Sequence, residues 1–254
     1  MTHLSVNLNK IALLRNSRSL GIPSVIRAAE IVLNAGAHGV TVHPRPDQRH
    51  IRVGDVHDLS HLLKQRSDAE FNIEGNPFEG LLELVSVVRP HQCTLVPDDP
   101  AAFTSDHGWD IKRDGHSLRP VIEKLHAWGV RVSLFMDPVP DDMQLVRALG
   151  ADRIELYTEP YAAAYSGPDE SDIASIYAAA ARAAQNAGLG VNAGHDLNQS
   201  NLPQFLVAVP NVLEVSIGHA LIADAIESGL AATVSNYLSA IAGDSGTVKG
   251  VRSF

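Results

Sequence analysis

Eight short β-prone runs recur along the chain with helical patterns between them, and that alternation constrains the fold more than any single motif. The runs are LSVNLN (4–9), GVTVHPR (39–45), EFNIEG (70–75), QCTLVP (92–97), RVSLFMD (131–137), RIELYT (153–158), GVNAGH (190–195) and EVSIGH (214–219). Parallel neighbours need crossover connections, so strictly alternating β and α units imply a parallel sheet. Eight such units in 254 residues match the size and count of an α/β (β/α)8 TIM barrel with additional helices. The competitor is an open doubly wound sheet. It loses ground because LNKIALLRNSR, not a glycine-rich turn, follows the first run. No low-complexity linker divides the chain, so residues 1–254 are expected to form a single barrel domain.

The intervening segments carry helix start and stop signals. Asn76-Pro77-Phe78-Glu79 offers an N-cap, a proline at the first helical position and a capping-box acid. From Asp169 to Asn186 an alanine-rich stretch repeats Ile173, Ile176, Tyr177, Ala180 and Ala184 at helical spacing, and Gly188 ends it. A last helix over 220–242 aligns Leu221, Ala225, Ile226, Leu230, Val234, Leu238 and Ile241 on one stripe.

Charge and cysteine usage narrow the function classes. The chain carries 20 basic and 29 acidic residues, net −9. Nothing therefore draws nucleic acid to the surface as a whole, and affinity for phosphorylated molecules must come from a local cluster. No apolar run approaches the roughly 20 residues that span a membrane. MTHLSVNLN lacks a signal-peptide pattern, so a cytoplasmic protein with no membrane and no nucleic-acid partner is expected. The single cysteine, Cys93, allows no intrachain disulfide and no cysteine-based zinc site, and its setting in QCTLV reads as a buried, inert thiol.

In such a barrel the chemistry sits at the C-terminal ends of the strands. Those ends supply Asn7 and Asn9, His43 and Arg45, Glu74, Asp137, Glu155 with Thr158, His195, and Gly218-His219. Almost every one can bind a ligand or move a proton, and the helices show no such concentration. The dense TVHPRPDQRHIR (41–52) is then the second strand's contribution to a shared mouth. Each residue also has a blander reading. His43 alone could be a hydrogen-bonded structural histidine. Glu74 ends a strand where an unpaired buried carboxylate is expensive, so it is either functional or an ion-pair partner of Arg45. Glu155 stands equally as a site residue or an internal ion-pair partner. His195 follows VNAG, small residues that let a ligand reach the backbone. His57 and His61 fit an exposed helix face, while His3, His91, His107, His116 and His126 occupy no position that implies chemistry.

Phosphate binding is the more specific inference. Gly218-His219 closes the eighth run and opens a helix at Ala220-Leu221, so free backbone N–H groups would point into the mouth. Gly194 adds backbone access, and Arg18, Arg45 and His50 add donors enough for more than one phosphate. Residues 98–117, DDPAAFTSDHGWDIKRDGHS, make an unusually long connection, of the kind that forms a lid or stays disordered.

Taken in order and spacing, several stretches resemble the pyridoxine 5′-phosphate synthase family along the whole chain. They are VNLNKIALLRNSR (6–18), TVHPRPDQRHI (41–51), FNIEG (71–75), LVPDDPAAFTSDHGWD (95–110), RIELYT (153–158), VNAGHDL (191–197) and SIGHAL (216–221). The resemblance implies a barrel with extra helices, usually a homo-octamer, that needs no cofactor. It implies condensation of 1-deoxy-D-xylulose 5-phosphate with 3-amino-2-oxopropyl phosphate to pyridoxine 5′-phosphate, releasing inorganic phosphate and water, in vitamin B6 biosynthesis. It further implies proton acceptors at His43 and Glu74 and a proton donor at His195. Asn7, Arg18, Arg45, His50, Thr104, Gly218 and His219 match substrate or phosphate contacts, Lys10 and Asp196 are further substrate-binding candidates where the chain departs from the pattern, and the 98–117 loop matches an active-site cover.

Such a reaction is mostly proton transfer without net redox change, which calls for acid/base groups rather than a nucleotide cofactor. His43, at the ordinary histidine pKa of about 6.5, could shuttle near neutrality, whereas Glu74 needs an apolar setting. The chain also departs from the family pattern. Asn9-Lys10 stands where Asp-His is common, Asp196 where glycine is common, and Glu159-Pro160 where Thr-Gly often follows. Lys10 can pair with a phosphate; Asp196 would repel one and is expected at a substrate hydroxyl or amine. Two rivals remain open. In a metal-dependent lyase or isomerase, His43, Glu74, Glu155, His195 and His219 would share a divalent ion, although no His-x-His pair is present. A catalytically inactive barrel would bind a sugar phosphate as a sensor, supported only by Asn9-Lys10 and Asp196.

Overall fold

Strand alternation decides which side of a sheet each residue takes, and here it sorts residues by polarity almost without exception. In the computed structural model, which describes residues 1–99, 101–102 and 104–243, eight parallel strands close into a barrel in chain order. They are β1 (His3–Asn7), β2 (Gly39–Val42), β3 (Glu70–Gly75), β4 (Gln92–Leu95), β5 (Arg131–Met136), β6 (Arg153–Tyr157), β7 (Gly190–Gly194) and β8 (Val212–Ile217), with β8 pairing back to β1. Each expected run overlaps one of them.

Leu4 and Val6, Val40 and Val42, Ile154 and Leu156 point outward and are fully buried in one apolar core shared with the surrounding helices. Their neighbours point inward and are polar. Interiors of this fold are more often filled by branched apolar side chains; here hydrogen bonds fill that role. The Ser5 and Thr41 hydroxyls meet at 2.7 Å, and the Thr94 hydroxyl lies 3.1 Å from Asn72 Oδ1 and 3.5 Å from Glu155 Oε2. Toward the opposite end, Glu214 accepts from Gln92 at 3.4 Å and from Asn192 at 3.5 Å. There Arg131 also ties Gln92 to Glu70.

The helices are α1 (Asn9–Asn16), α2 (Val25–Asn34), α3 (Val53–Leu63), α4 (Leu82–Val88), α5 (Ile111–Ala127), α6 (Met143–Leu149), α7 (Glu159–Ala164), α8 (Glu170–Asn186), α9 (Leu202–Ala208), α10 (His219–Ser228) and α11 (Leu230–Ala242). The alanine-rich helix lies where the periodicity puts it, but three expectations need correcting. The single helix over 220–242 is two, because Gly229 at φ 81°, ψ 144° leaves the helical region. Within α10, before that break, Ile222 is buried and Ile226 exposed, so the stripe does not run along the face expected. Asn76 does act as a cap, accepting the Phe78 N–H at 2.9 Å. The segment it caps, Pro77–Leu81, is however a wide turn in which Glu79 and Gly80 leave helical angles, and α4 begins only at Leu82. Finally, Asp110 caps α5 by accepting the Arg113 N–H at 3.2 Å, so residues 111–117 are helical and the long connection is confined to 96–110. Pro100 and Phe103, inside that connection, lie outside the described residues.

Cys93 is fully buried, and burial pushes its thiol far above the ordinary range. His57 and His61 are exposed on α3. Among the described residues no helix is long and apolar enough to cross a membrane.

Candidate active site

The C-terminal strand ends surround one cavity of about 380 Å³. Its wall takes Asn7, Asn9 and Lys10 from β1 and α1; His43, Arg45 and His50 from the connection after β2; Glu74 from β3; and Thr104 and Ser105 from the connection after β4. The far side adds Phe135, Glu155, His195, Asp196, Ser216, Gly218 and His219. Of the residues singled out in the sequence, Arg18, Asp137, Thr158 and Gly194 are not in the wall, and Arg18 is exposed beyond the end of α1. Thr158 is buried behind it, donating to the Gly194 carbonyl at 2.7 Å and lying against that of His195.

The cationic 41–52 stretch is held by the first connection. Asn7 Oδ1 accepts the Asn9 N–H at 3.0 Å, and Asn9 Oδ1 accepts the His43 N–H at 2.9 Å, so β1 fixes where β2 delivers its histidine. At the end of α1, the Asn16 amide donates to the carbonyls of Arg49 (3.0 Å) and His50 (2.8 Å), while Arg15 pairs with Asp55 and donates to the His50 carbonyl at 3.2 Å.

Burial sets the protonation states. Glu74 is pushed well above the carboxylate range by desolvation, and the charges of Glu155 and Asp98 add to it. Glu155 is pushed up to about 8 by burial and by Glu214. Two buried carboxyls that ionise reluctantly are suited to holding protons in the mouth. Gly194 leaves room for Glu155: a Cβ there would lie 2.4 Å from Glu155 Oε1. His43 does not sit at the ordinary histidine value. Burial, with Arg45, His50 and Arg49 nearby, holds it well below that value, so it is a neutral acceptor at pH 7. His50 is lowered to about 4 by burial and the same arginines. Its Nδ1 accepts the Ile51 N–H at 2.9 Å, which leaves Nε2–H as a neutral donor.

The ion pair between Arg45 and Glu74 that the sequence allowed does not form. Arg45 pairs instead with Asp98, which is almost fully buried and also accepts from the Ser105 hydroxyl at 2.9 Å. Burial raises the Asp98 carboxyl despite that pairing, and His43 Nε2 stands 3.7 Å away. Sequence reasoning missed Asp98, although an acid directly behind the apolar end of β4 was a signal in plain view. It also missed Ser105, Ser216 and Phe135. Asp196, expected at a substrate group, is turned onto its neighbour: Oδ2 lies 2.7 Å from His195 Nδ1. Among the described residues no three His, Cys, Asp or Glu side chains converge as ligands for a metal ion.

The raised Glu155 carries a stability consequence. Below about pH 4.5 the carboxyl is protonated whether the chain is folded or not. As pH rises toward about 8 the unfolded chain ionises first, so the folded state loses stability across that window. Glu155→Gln removes the loss. The variant is expected to gain on the order of 2 kcal/mol over the parent at pH 8.5 and to match it near pH 4.5. Urea midpoints measured across that range would show a gap opening with pH, and parallel curves would refute the assignment.

Comparison with known proteins agrees with the barrel and adds a family. The family model for "Pyridoxal phosphate biosynthesis protein PdxJ" matches residues 4–243. A pyridoxine 5′-phosphate synthase of Albidiferax ferrireducens is 58% identical over 246 residues, covering 95% of this chain and 98% of that one. One from Xanthomonas campestris pv. campestris is 55% identical over 253 residues, covering 97% and 98%. Among solved structures, tryptophan synthase from M. tuberculosis superposes with a TM-score of 0.65 at 9% identity, covering 94% of this chain and 93% of that one. The tryptophan synthase alpha chain of Legionella pneumophila reaches 0.63 at 11%, covering 97% and 94%. At such identities the likeness is of fold alone.

Proposed function

The chain belongs to the PdxJ family of pyridoxal phosphate biosynthesis proteins, and from that premise we propose that it is a pyridoxine 5′-phosphate synthase, a ring-forming transferase working by general acid/base catalysis. Its substrates are 1-deoxy-D-xylulose 5-phosphate and 3-amino-2-oxopropyl phosphate, and inorganic phosphate and water leave with the product. The observation that carries the reading is one cavity in which acid/base groups and anion-binding groups face each other. His43, Glu74, Glu155 and His195 supply the first; Lys10, Arg45, His50 and the start of α10 at Gly218-His219 supply the second.

The chemistry assigns the roles. The substrate amine attacks a ketone, the adduct loses water and phosphate, a carbon–carbon bond closes, and the ring aromatises. His43, held neutral, accepts a proton at once. Glu74 accepts one when its own has left, and its desolvated setting makes it a stronger base than an exposed carboxylate. His195 donates. Phosphate is met by the neutral His50 donor, by Lys10 and Arg45, and by the open N–H groups at the N-terminus of α10. Asn7, Thr104 and Asp196 complete the cavity wall. Placement within one chain lends no support to a substrate contact by Arg18.

The test is direct. Purified, chelator-treated protein is mixed with both phosphorylated substrates, and pyridoxine 5′-phosphate is followed by absorbance and mass. Product that needs both substrates and survives chelation is the expected result. Substrate binding without turnover, with metal restored, would overturn it in favour of a sugar-phosphate sensor.

A further inference from the structure

We propose that Asp196 is a positioning residue for His195: its carboxylate holds the ring by Nδ1, aims Nε2 into the cavity and stabilises the imidazolium from which the proton is delivered. The inference rests on the reading of His195 as the donor.

Both ring nitrogens are engaged. Asp196 Oδ2 lies 2.7 Å from Nδ1, and Thr104 Oγ1 lies 2.9 Å from Nε2. Turning the ring over would set carbon atoms against both oxygens, so one orientation satisfies the site. An ionised carboxylate can only accept, which places a hydrogen on Nδ1 and leaves Nε2 to take up and give the mobile proton. Asp196 stays ionised: the hydrogen bond from His195 holds its carboxyl below the ordinary range against the opposing effect of burial, helped by the charges of His219 and Lys10.

The backbone is bent to make this contact. In an extended strand, consecutive side chains leave on opposite faces. Here His195 (φ 77°) and Asp196 (φ 55°) are both left-handed, a conformation rare for residues with side chains, and the pair of turns brings the two side chains together. Three bonds secure the bend. Thr158 donates to the Gly194 carbonyl, the Leu197 N–H donates to the His195 carbonyl at 2.8 Å, and the Asn201 amide donates to the Asp196 carbonyl at 3.3 Å. Tyr157 of β6 packs edge-on against the imidazole, with ring centres 5.3 Å apart. The charged and titratable groups that bear on this dyad are Lys10 from α1 and His219 from α10, with Tyr157 of β6 against the ring.

The proton account closes on itself. A neutral ring carries hydrogen on Nδ1 and a lone pair on Nε2. Protonation at Nε2 gives the imidazolium, whose Nδ1–H stays on Asp196. Donation from Nε2 to a departing oxygen restores the neutral ring.

Nitrogen-15 spectra of histidine-labelled full-length protein read this without reference to activity, with His195→Gln identifying the His195 signals. The neutral ring is expected with hydrogen on Nδ1, and Asp196→Ala should shift it toward the Nε2–H form. In the synthase assay, Asp196→Asn should lower kcat by about 10–100-fold with KM within about threefold. Asp196→Glu should recover part of the rate. A parent ring carrying hydrogen on Nε2 would overturn the proposal, as would a tautomer unchanged in Asp196→Ala. If the parent makes no pyridoxine 5′-phosphate, the synthase reading fails, while the tautomer still decides what Asp196 does.

Discussion

Glu74→Gln is expected to lower kcat by about 10³-fold while both substrates still bind. The amide keeps the size of the carboxyl and an oxygen for the Asn7 amide, which donates to Glu74 Oε2 at 3.4 Å, so the cavity wall should keep its shape. What it lacks is an exchangeable carboxyl proton. Glu74 is raised by desolvation first and by Glu155 second, and the substitution removes one of the two buried carboxyls from the mouth. The low-pH limb of the rate profile should therefore change form as well as height. Single-turnover kinetics with saturating substrates separates binding from chemistry. A kcat within threefold of the parent would take Glu74 out of the mechanism.

Arg45→Ala should be damaging in two ways at once. Without the guanidinium a substrate phosphate loses a charged donor, so KM should rise by about 30-fold or more while kcat at saturation falls less. The Asp98 carboxylate, almost fully buried beside the same guanidinium, is also left unpaired. Removing one partner of a buried pair costs about 3–5 kcal/mol, because the other charge stays behind. Pairing the change with Asp98→Asn separates the two effects. The double variant should recover most of the denaturant midpoint and none of the affinity. Recovery of both would mean that Arg45 serves only to neutralise Asp98.

The fold was legible because strand alternation and chain length both point to eight βα units, and all eight strands lie where the β-prone runs are. Most of the mouth was legible for the same reason, since His43, Glu74, Glu155 and His195 all lie at or near strand ends. What escaped was decided by tertiary contact. No local pattern tells which carboxylate Arg45 will choose, and Asp98 wins because the connection after β4 folds across the end of β2. His43 was placed correctly but given the wrong basicity, because burial among arginines is a property of the assembled mouth. The 220–242 helix failed at Gly229, where one residue in an otherwise periodic stretch outweighed the stripe. Arg18 lay inside a recognisable stretch, yet the cavity is assembled without it.

The polar axis of the barrel has an engineering consequence. Glu214 belongs to the floor, where Gln92 and Asn192 hold it, yet its charge is the second cause of the raised Glu155 at the mouth. The working pH of such a site is then adjustable from below, by residues outside the cavity wall. A designer wishing to shift the optimum could leave every cavity residue untouched and edit the foundation instead, where recognition has nothing to lose.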